Sequence, residues 1–185
     1  MEMENIVLDS VDITSTLNHG VLISTNNLLS GLTISNSSIR GYYYPVNVYA
    51  SNDILNLNVV NDSILFNNSY SQWYNAAYFY SSRNIINAKF DKVVTLQKPN
   101  AYAFYVGANK LISGLTLSNS KISSFYGGFE VSAETIKNFK ASKDSITANT
   151  NTSLYVSGWK NIDSIYLDEV ALLNTNSEGL RLDSD

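Results

Sequence analysis

The sequence contains no cysteine, so a disulfide framework, a thiolate metal site and a cysteine nucleophile are all excluded. Charge is scarce as well. Asp, Glu, Lys and Arg make up 15% of the chain, where an ordinary soluble domain carries about a quarter. The 12 Lys and Arg residues are scattered and the net charge is −4, which argues against nucleic acid, a partner gripped through its phosphates. Proline occurs only at Pro45 and Pro99. No apolar run reaches the ~18 residues of a membrane span. The start, Met1-Glu2-Met3-Glu4, is acidic and unlike an export signal. If the protein is exported, this is a mature or excised piece.

What the chain does have is apolar residues (44%), many Asn, Ser and Thr, and an internal repeat. Residues 28–39, LLSGLTISNSSI, and 111–122, LISGLTLSNSKI, are nearly identical. Their shared frame places two apolar residues two apart and a third five further on. The frame recurs at Ile6/Leu8/Ile13, Leu32/Ile34/Ile39, Leu57/Val59/Ile64, Leu115/Leu117/Ile122, Phe139/Ala141/Ile146 and Ile165/Leu167/Leu172, with a degenerate copy at Ala88/Phe90/Thr95. Successive copies start 26, 25, 31, 27, 24 and 26 residues apart, and the long third interval holds an insertion around Ser69–Asn75.

Each triplet leads into a second alternating segment: 20–24, 45–49, 76–80, 103–107, 127–132, 153–157 and 179–183. In 76–80 either Tyr78/Tyr80 or Ala77/Phe79 can face inward. A further apolar position follows at Leu28, Ile54, Ile85, Leu111, Ile136 and Ile162. Alternation with period two means strand, not helix. Three short strands per repeat, joined by polar corners, describe a triangular coil that buries its inner face only by stacking on its neighbours. The expectation is an all-β, right-handed parallel β-helix solenoid of about seven coils of 24–31 residues. It forms a single domain over 1–185, a rod of roughly 30–35 Å at one strand spacing per coil. Leucine-rich-repeat spacing, as in Ile112/Leu115/Leu117/Ile122, offers a second reading, an interaction module with a helical or irregular convex side.

The pattern I-x-N-S-x-I-x-G, followed by a Val- or Ile-bearing strand, resembles the right-handed β-helix repeats of the pectate-lyase-like superfamily, and in particular autotransporter passenger domains and related adhesins. The resemblance covers the whole chain and implies a fold more than an activity. It implies an extracellular or cell-surface location and a place within a longer surface protein. Neither end carries a capping helix, and uncapped coils point the same way, to an internal slice of a rod or to ends that pair with flanking coils.

Aromatic residues at the corners are the candidate ligand-binding set: Tyr42, Tyr43 and Tyr44, then Tyr70, Trp73 and Tyr74, then Phe125 and Tyr126. Stacked coils align these corners into a stripe that docks a sugar face or a host surface protein, or that simply covers the coil. Enzymatic readings need more. A glycosidase needs two carboxylates about 5–9.5 Å apart. The corner column Asp9, Ser35, Val60, Asp91, Ser118, Ser142, Asp168 has no two acids adjacent. Lyases of the resembled superfamily imply acidic calcium ligands and a basic residue, for which Arg40, Arg83 and Lys98 are the candidates.

The next column, Ser10, Asn36, Asn61, Lys92, Asn119, Lys143, Glu169, suggests an Asn36–Asn61 rung and a Lys143–Glu169 pair. His19, the one histidine, reads as a solvated turn residue, and the C-terminal acids as a solvated face. The sequons at Asn36, Asn61, Asn67 and Asn151 matter only in a eukaryotic source. The resulting expectation is a non-catalytic adhesin or stalk segment without cofactor or metal. A polysaccharide lyase, glycoside hydrolase or tailspike-like depolymerase is the alternative.

Overall fold

The computed structural model describes residues 2–66, 74–96 and 101–184. Among them there is no helix. The chain winds as a parallel β-solenoid of about seven turns, and every strand pairing is parallel. The leucine-rich-repeat reading is therefore overturned: the side opposite the triplets is built of strands.

Each coil has three faces. The first runs through Val7–Asp9, Thr33–Ser35, Ile54–Val60, Asn84–Asp91, Thr116–Ser118 and the later parts of Phe129–Ser142 and Leu154–Asp168. The second holds Asp12–Thr14, Ser38–Gly41, Ser63–Phe66, Lys121–Ser123, Ser145–Ala148 and Ala171–Asn174, with Val94 bridging Ser63 to Lys121 in the fourth coil. The third holds Val21–Thr25, Val46–Ala50, Asn75–Ser81, the early parts of Tyr102–Ser113, Phe129–Ser142 and Leu154–Asp168, and Leu180–Ser184.

Equivalent residues stack in columns. Leu8, Ile34, Val59, Phe90, Leu117, Ala141 and Leu167 are consecutive partners on the first face. On the third face Ile23, Val48, Phe79, Val106, Val131, Val156 and Leu182 do the same. Inside the middle coils Phe79, Phe104, Phe129 and Phe139 form a spine, successive ring centroids lying 6.3, 5.5 and 6.4 Å apart. Each inward Leu, Ile, Val or Phe contributes about 1.5–3 kcal/mol on burial, set against an ordering entropy of comparable total size.

One expectation about register changes, and one open choice is resolved. The apolar column that closes the coil contains Leu29 and Ile112, not Leu28 and Leu111: Leu29 pairs with Ile54, and Ile112 with Ile85 and Ile136. An apolar doublet at each place leaves periodicity alone undecided, and the strand register resolves it. In the third coil Ala77 and Phe79 are buried, so Tyr78 and Tyr80 face outward. The insertion lies largely in residues 67–73, outside the described residues, as do Lys98 and Pro99.

Every coil turns at two residues with positive φ, between 52° and 70°. The first column is Asn5, Gly31, Asn56, Asn87, Gly114, Asn138 and Ser164, each directly before a triplet. The second is Ser10, Asn36, Asn61, Lys92, Asn119, Lys143 and Glu169, at the corner between the first and second faces. The left-handed region is costly for most L-residues and least so for Gly and Asn, which accounts for Asn at seven of these positions and Gly at two. At Gly31 an added Cβ would also meet Asn5 Oδ1 at 3.0 Å.

A longer period lies over the coil repeat. Across the corner, coils one to seven read Asp9-Ser10-Val11, Ser35-Asn36-Ser37, Val60-Asn61-Asp62, Asp91-Lys92-Val93, Ser118-Asn119-Ser120, Ser142-Lys143-Asp144 and Asp168-Glu169-Val170. Types one, two and three recur in order. The bonding recurs with them. Asp9 accepts from Ser35 Oγ (2.7 Å) and Asn36 Nδ2 (2.8 Å), and Asp91 from Ser118 Oγ and Asn119 Nδ2 (both 2.8 Å). The Val11 and Val93 amides donate to Ser37 and Ser120 Oγ, while the Ser37 and Ser120 amides donate to Asp62 and Asp144 Oδ1 at 2.8 Å. The expected Asn36–Asn61 rung is present, with Asn61 Nδ2 donating to Asn36 Oδ1 at 2.9 Å.

Candidate functional site

Outward positions on the third face gather the aromatic residues. With Val46, Val48, Ala77, Phe79, Phe104 and Val106 filling the core side, the alternation turns Tyr49, Tyr78, Tyr80 and Tyr105 outward. Tyr78 stacks on Tyr105 at 5.1 Å and on Tyr80 at 6.1 Å, and Tyr80 stacks on Tyr49 at 5.9 Å. The corner residues join this band. Tyr44 contacts Tyr78 at 5.6 Å and Tyr74 at 5.1 Å, Tyr43 contacts Tyr74 at 5.1 Å, and Tyr42 contacts Tyr43 at 5.0 Å. His19, expected as a solvated turn, is half-buried, its ring stacked on Tyr44 at 5.6 Å.

Phe125 and Tyr126 form a second patch, with Tyr126 stacked on Tyr102 at 5.6 Å. Tyr70 and Trp73 lie outside the described residues. The structure thus brings Tyr42, Tyr43, Tyr44 and Tyr74 together and sets Phe125 and Tyr126 apart. It adds Tyr49, Tyr78, Tyr80, Tyr102 and Tyr105, which the corner-based reading passed over. The period-two alternation carried a signal for them, but in 76–80 it left open which of Tyr78/Tyr80 and Ala77/Phe79 faces outward.

Small residues and hydroxyl partners hold the band in place. A Cβ at Gly107 would lie 2.4 Å from the Tyr105 ring, so glycine there lets the ring lie across its own strand. Tyr49 Oη lies 3.2 Å from both Ser51 Oγ and Ser82 Oγ, and Tyr80 Oη donates to Asn109 Oδ1 at 2.5 Å. Burial raises the Tyr44 and Tyr105 phenols and pushes Tyr78 up to about 12. These hydroxyls stay protonated near neutrality and offer both donors and acceptors beside apolar ring surface.

Several of the acidic residues are held by their neighbours. Asp62 and Asp144 are each 2% exposed and point into the corner. Burial raises both carboxyls to about 6, although backbone amides pull the other way: those of Ser37 and Val60 for Asp62, and of Ser120 and Ser142 for Asp144. Asp144 Oδ2 accepts from the Ser142 amide at 2.9 Å, whereas Asp62 Oδ2 has no well-formed partner. A shallow depression of about 380 Å³ beside Asp62 is lined by Asn36, Ser38, Asn61, Ser63 and Lys92, with no second carboxylate. Arg83 is held by Asn52 Oδ1 at 3.0 Å and lies 4.0 Å from Asp53, while Arg40 is exposed on the second face. Lys143 and Glu169 make no ion pair with each other among the described residues, their corner backbones carrying the αL turn instead. No group of three or more His, Asp or Glu among the described residues is arranged to hold a metal ion.

Comparison of the chain with protein-family models, with curated proteins and with solved structures returned no match.

Proposed function

We propose that this chain is a non-catalytic segment of a secreted or cell-surface protein, an adhesin or stalk, that binds glycan through the outward tyrosine band. The unbroken run of ring contacts from Tyr44 through Tyr78 to Tyr105 carries the reading. Sugar rings have apolar faces edged by hydroxyls, and a row of neutral phenols matches both parts. The placement of the acids supports a binding role over a hydrolytic one. Asp9 and Asp91 are spent on Ser and Asn side chains, Asp62 and Asp144 on backbone amides, and Glu134 on Lys160 at 2.8 Å. The right-handed winding and the kinship with pectate-lyase-like and autotransporter repeats belong to the same reading, supported by the repeat motif and by the strong right-handed preference of parallel crossovers.

The test is a glycan array read beside an assay for new reducing ends. Wild-type protein should retain a glycan without releasing ends. The Tyr78→Ala/Tyr105→Ala variant should bind it at least about tenfold more weakly, in line with the loss of two aromatic platforms. Undiminished binding by the variant, or accumulation of reducing ends, contradicts the proposal.

A further inference from the structure

One column of the third face contains a carboxylate with no hydrogen-bond or ion-pair partner among the described residues. Reading along the stack, its outward residues are Leu22, Asn47, Tyr78, Tyr105, Glu130, Tyr155 and Arg181. Glu130 in the fifth coil thus stands between Tyr105 and Tyr155, its direct partners in the coils on either side. Tyr102 is close enough for the carboxylate to raise its phenol, as is Tyr105. Ser132 stands beside the Tyr105 hydroxyl and Asn151 beside the Tyr102 hydroxyl. Both phenols of the fourth coil therefore stand near Glu130 of the fifth. A Cβ at Gly127 would meet the Tyr102 ring at 2.9 Å, as one at Gly107 would meet Tyr105, so each ring lies over a glycine.

The next coils hold the same elements in completed form. Arg181 places its guanidinium 5.4 Å from the Tyr155 ring centroid and donates to Asp183 Oδ2 at 2.9 Å, and Tyr155 Oη donates to the same oxygen at 3.0 Å. There, a tyrosine ring, a cation and a carboxylate satisfy one another. At Glu130 tyrosines stand in the coils on either side and, among the described residues, no cation pairs with the carboxylate: its column neighbours are Tyr105 and Tyr155, and Tyr155 carries Arg181 from the coil beyond. Burial raises the Glu130 carboxyl with no bond or opposite charge to offset it. A half-buried, uncompensated carboxylate is costly and a cation removes that cost. Neighbouring tyrosine rings favour a cation that carries apolar substituents over a bare metal ion.

We propose that Glu130, set between Tyr105 and Tyr155 of the adjacent coils and beside Tyr102, is a binding site for an aliphatic ammonium group. The group arrives either as a quaternary ammonium of the choline type or as the protonated amine of an amino sugar. The site adjoins the tyrosine band but does not depend on neutral glycan binding there.

The whole chain is titrated with tetramethylammonium, with glucosamine and with N-acetylglucosamine as the uncharged control, following tyrosine fluorescence and the proton resonances of the rings. At least one ammonium probe should bind at millimolar concentration or better, and the acetylated sugar should not bind at this site. Preference for tetramethylammonium assigns the quaternary source, and preference for glucosamine the sugar. Glu130→Gln keeps the side-chain shape and should weaken the preferred probe at least about tenfold, whereas Tyr49→Ala/Tyr80→Ala should leave it unchanged while weakening any neutral glycan. Equal affinity in Glu130→Gln, or no response of the wild type to either ammonium, overturns the proposal. Loss of neutral-glycan binding alone would count only against the adhesive reading.

Discussion

Asp62 and Asp144 occupy the same place in the three-coil period, and they differ in one oxygen. Asp144 Oδ2 accepts from the Ser142 amide, and Asp62 Oδ2 has no well-formed partner. Replacing each by Asn keeps an acceptor for the Ser37 or Ser120 amide and removes the buried charge. In Asp144→Asn the new amide group meets the Ser142 N–H, donor against donor. We expect Asp144→Asn to be less stable than Asp62→Asn by about 1–3 kcal/mol in urea denaturation at pH 7; equal stabilities would show that the Oδ2 contact is immaterial. A second prediction concerns Gly107. Alanine there displaces the Tyr105 ring, 2.4 Å from the added Cβ, so Gly107→Ala should alter the Tyr105 ring resonances and weaken ligand binding on the third face with little effect at Tyr49. Unchanged ring resonances would refute the close packing.

At the scale of the coil, the corner triplets act as matched parts: an Asp coil is followed by a Ser-Asn-Ser coil, and that by a coil with a buried Asp. Changing the fifth corner toward the fourth with Ser118→Asp/Ser120→Val sets a carboxylate against Asp91 and removes the hydroxyl that accepts from the Val93 amide. This double variant should lose about 2 kcal/mol or more. The second and fifth corners are both Ser-Asn-Ser, so the wild type is itself the matched reference, and an equal denaturation midpoint for the double variant would remove the three-coil order from the account.

Much of the coil was legible in the sequence, because inward residues alternate and return every two dozen positions. The doublets Leu28-Leu29 and Leu111-Ile112 hid their register, since either residue suits a core. Residues 76–80 hid theirs because Tyr and Ala/Phe alternate there with comparable claims to burial. The outward tyrosines went unread for a related reason: Tyr49, Tyr78 and Tyr105 stand about 27–29 residues apart, and their meeting depends on the stacking register. Glu130 likewise gains meaning only from its neighbours in the coils on either side.

For the whole molecule, acid is a stabiliser over a defined range. The Asp62 and Asp144 carboxyls sit near 6 in the folded protein, above their ordinary 3.8, and Glu130 is raised as well. Between about pH 4 and 6 the folded chain binds more protons than the unfolded one, so stability falls as pH rises through that window. Asp9 is lowered by its bonds from Ser35 and Asn36. For Asp91 partial burial opposes the shift, but bonds from Asn119 and Ser118 and the charge of Lys89 outweigh it. These two act in the opposite sense, and their contribution is lost below about pH 4. The thermal midpoint should therefore be higher near pH 5 than at pH 8 and fall again below pH 4. The Asp62→Asn/Asp144→Asn variant should flatten the upper limb; an unaltered limb would mean that other groups govern it.

The central claim is that residues about two dozen apart lie one above another along a single shaft. A chain without cysteine allows a clean measurement. Ser132 and Ser157 are outward partners in adjacent coils, and Asp183 follows one coil further on. Adjacent strands are about 4.8 Å apart, inside the Cα range of a disulfide, while two coils span about twice that distance and exceed it. Mild oxidation should close Ser132→Cys/Ser157→Cys rapidly within the monomer and leave Ser132→Cys/Asp183→Cys open; failure of the first pair to close, or equal closure of both, would contradict the stacked-coil structure.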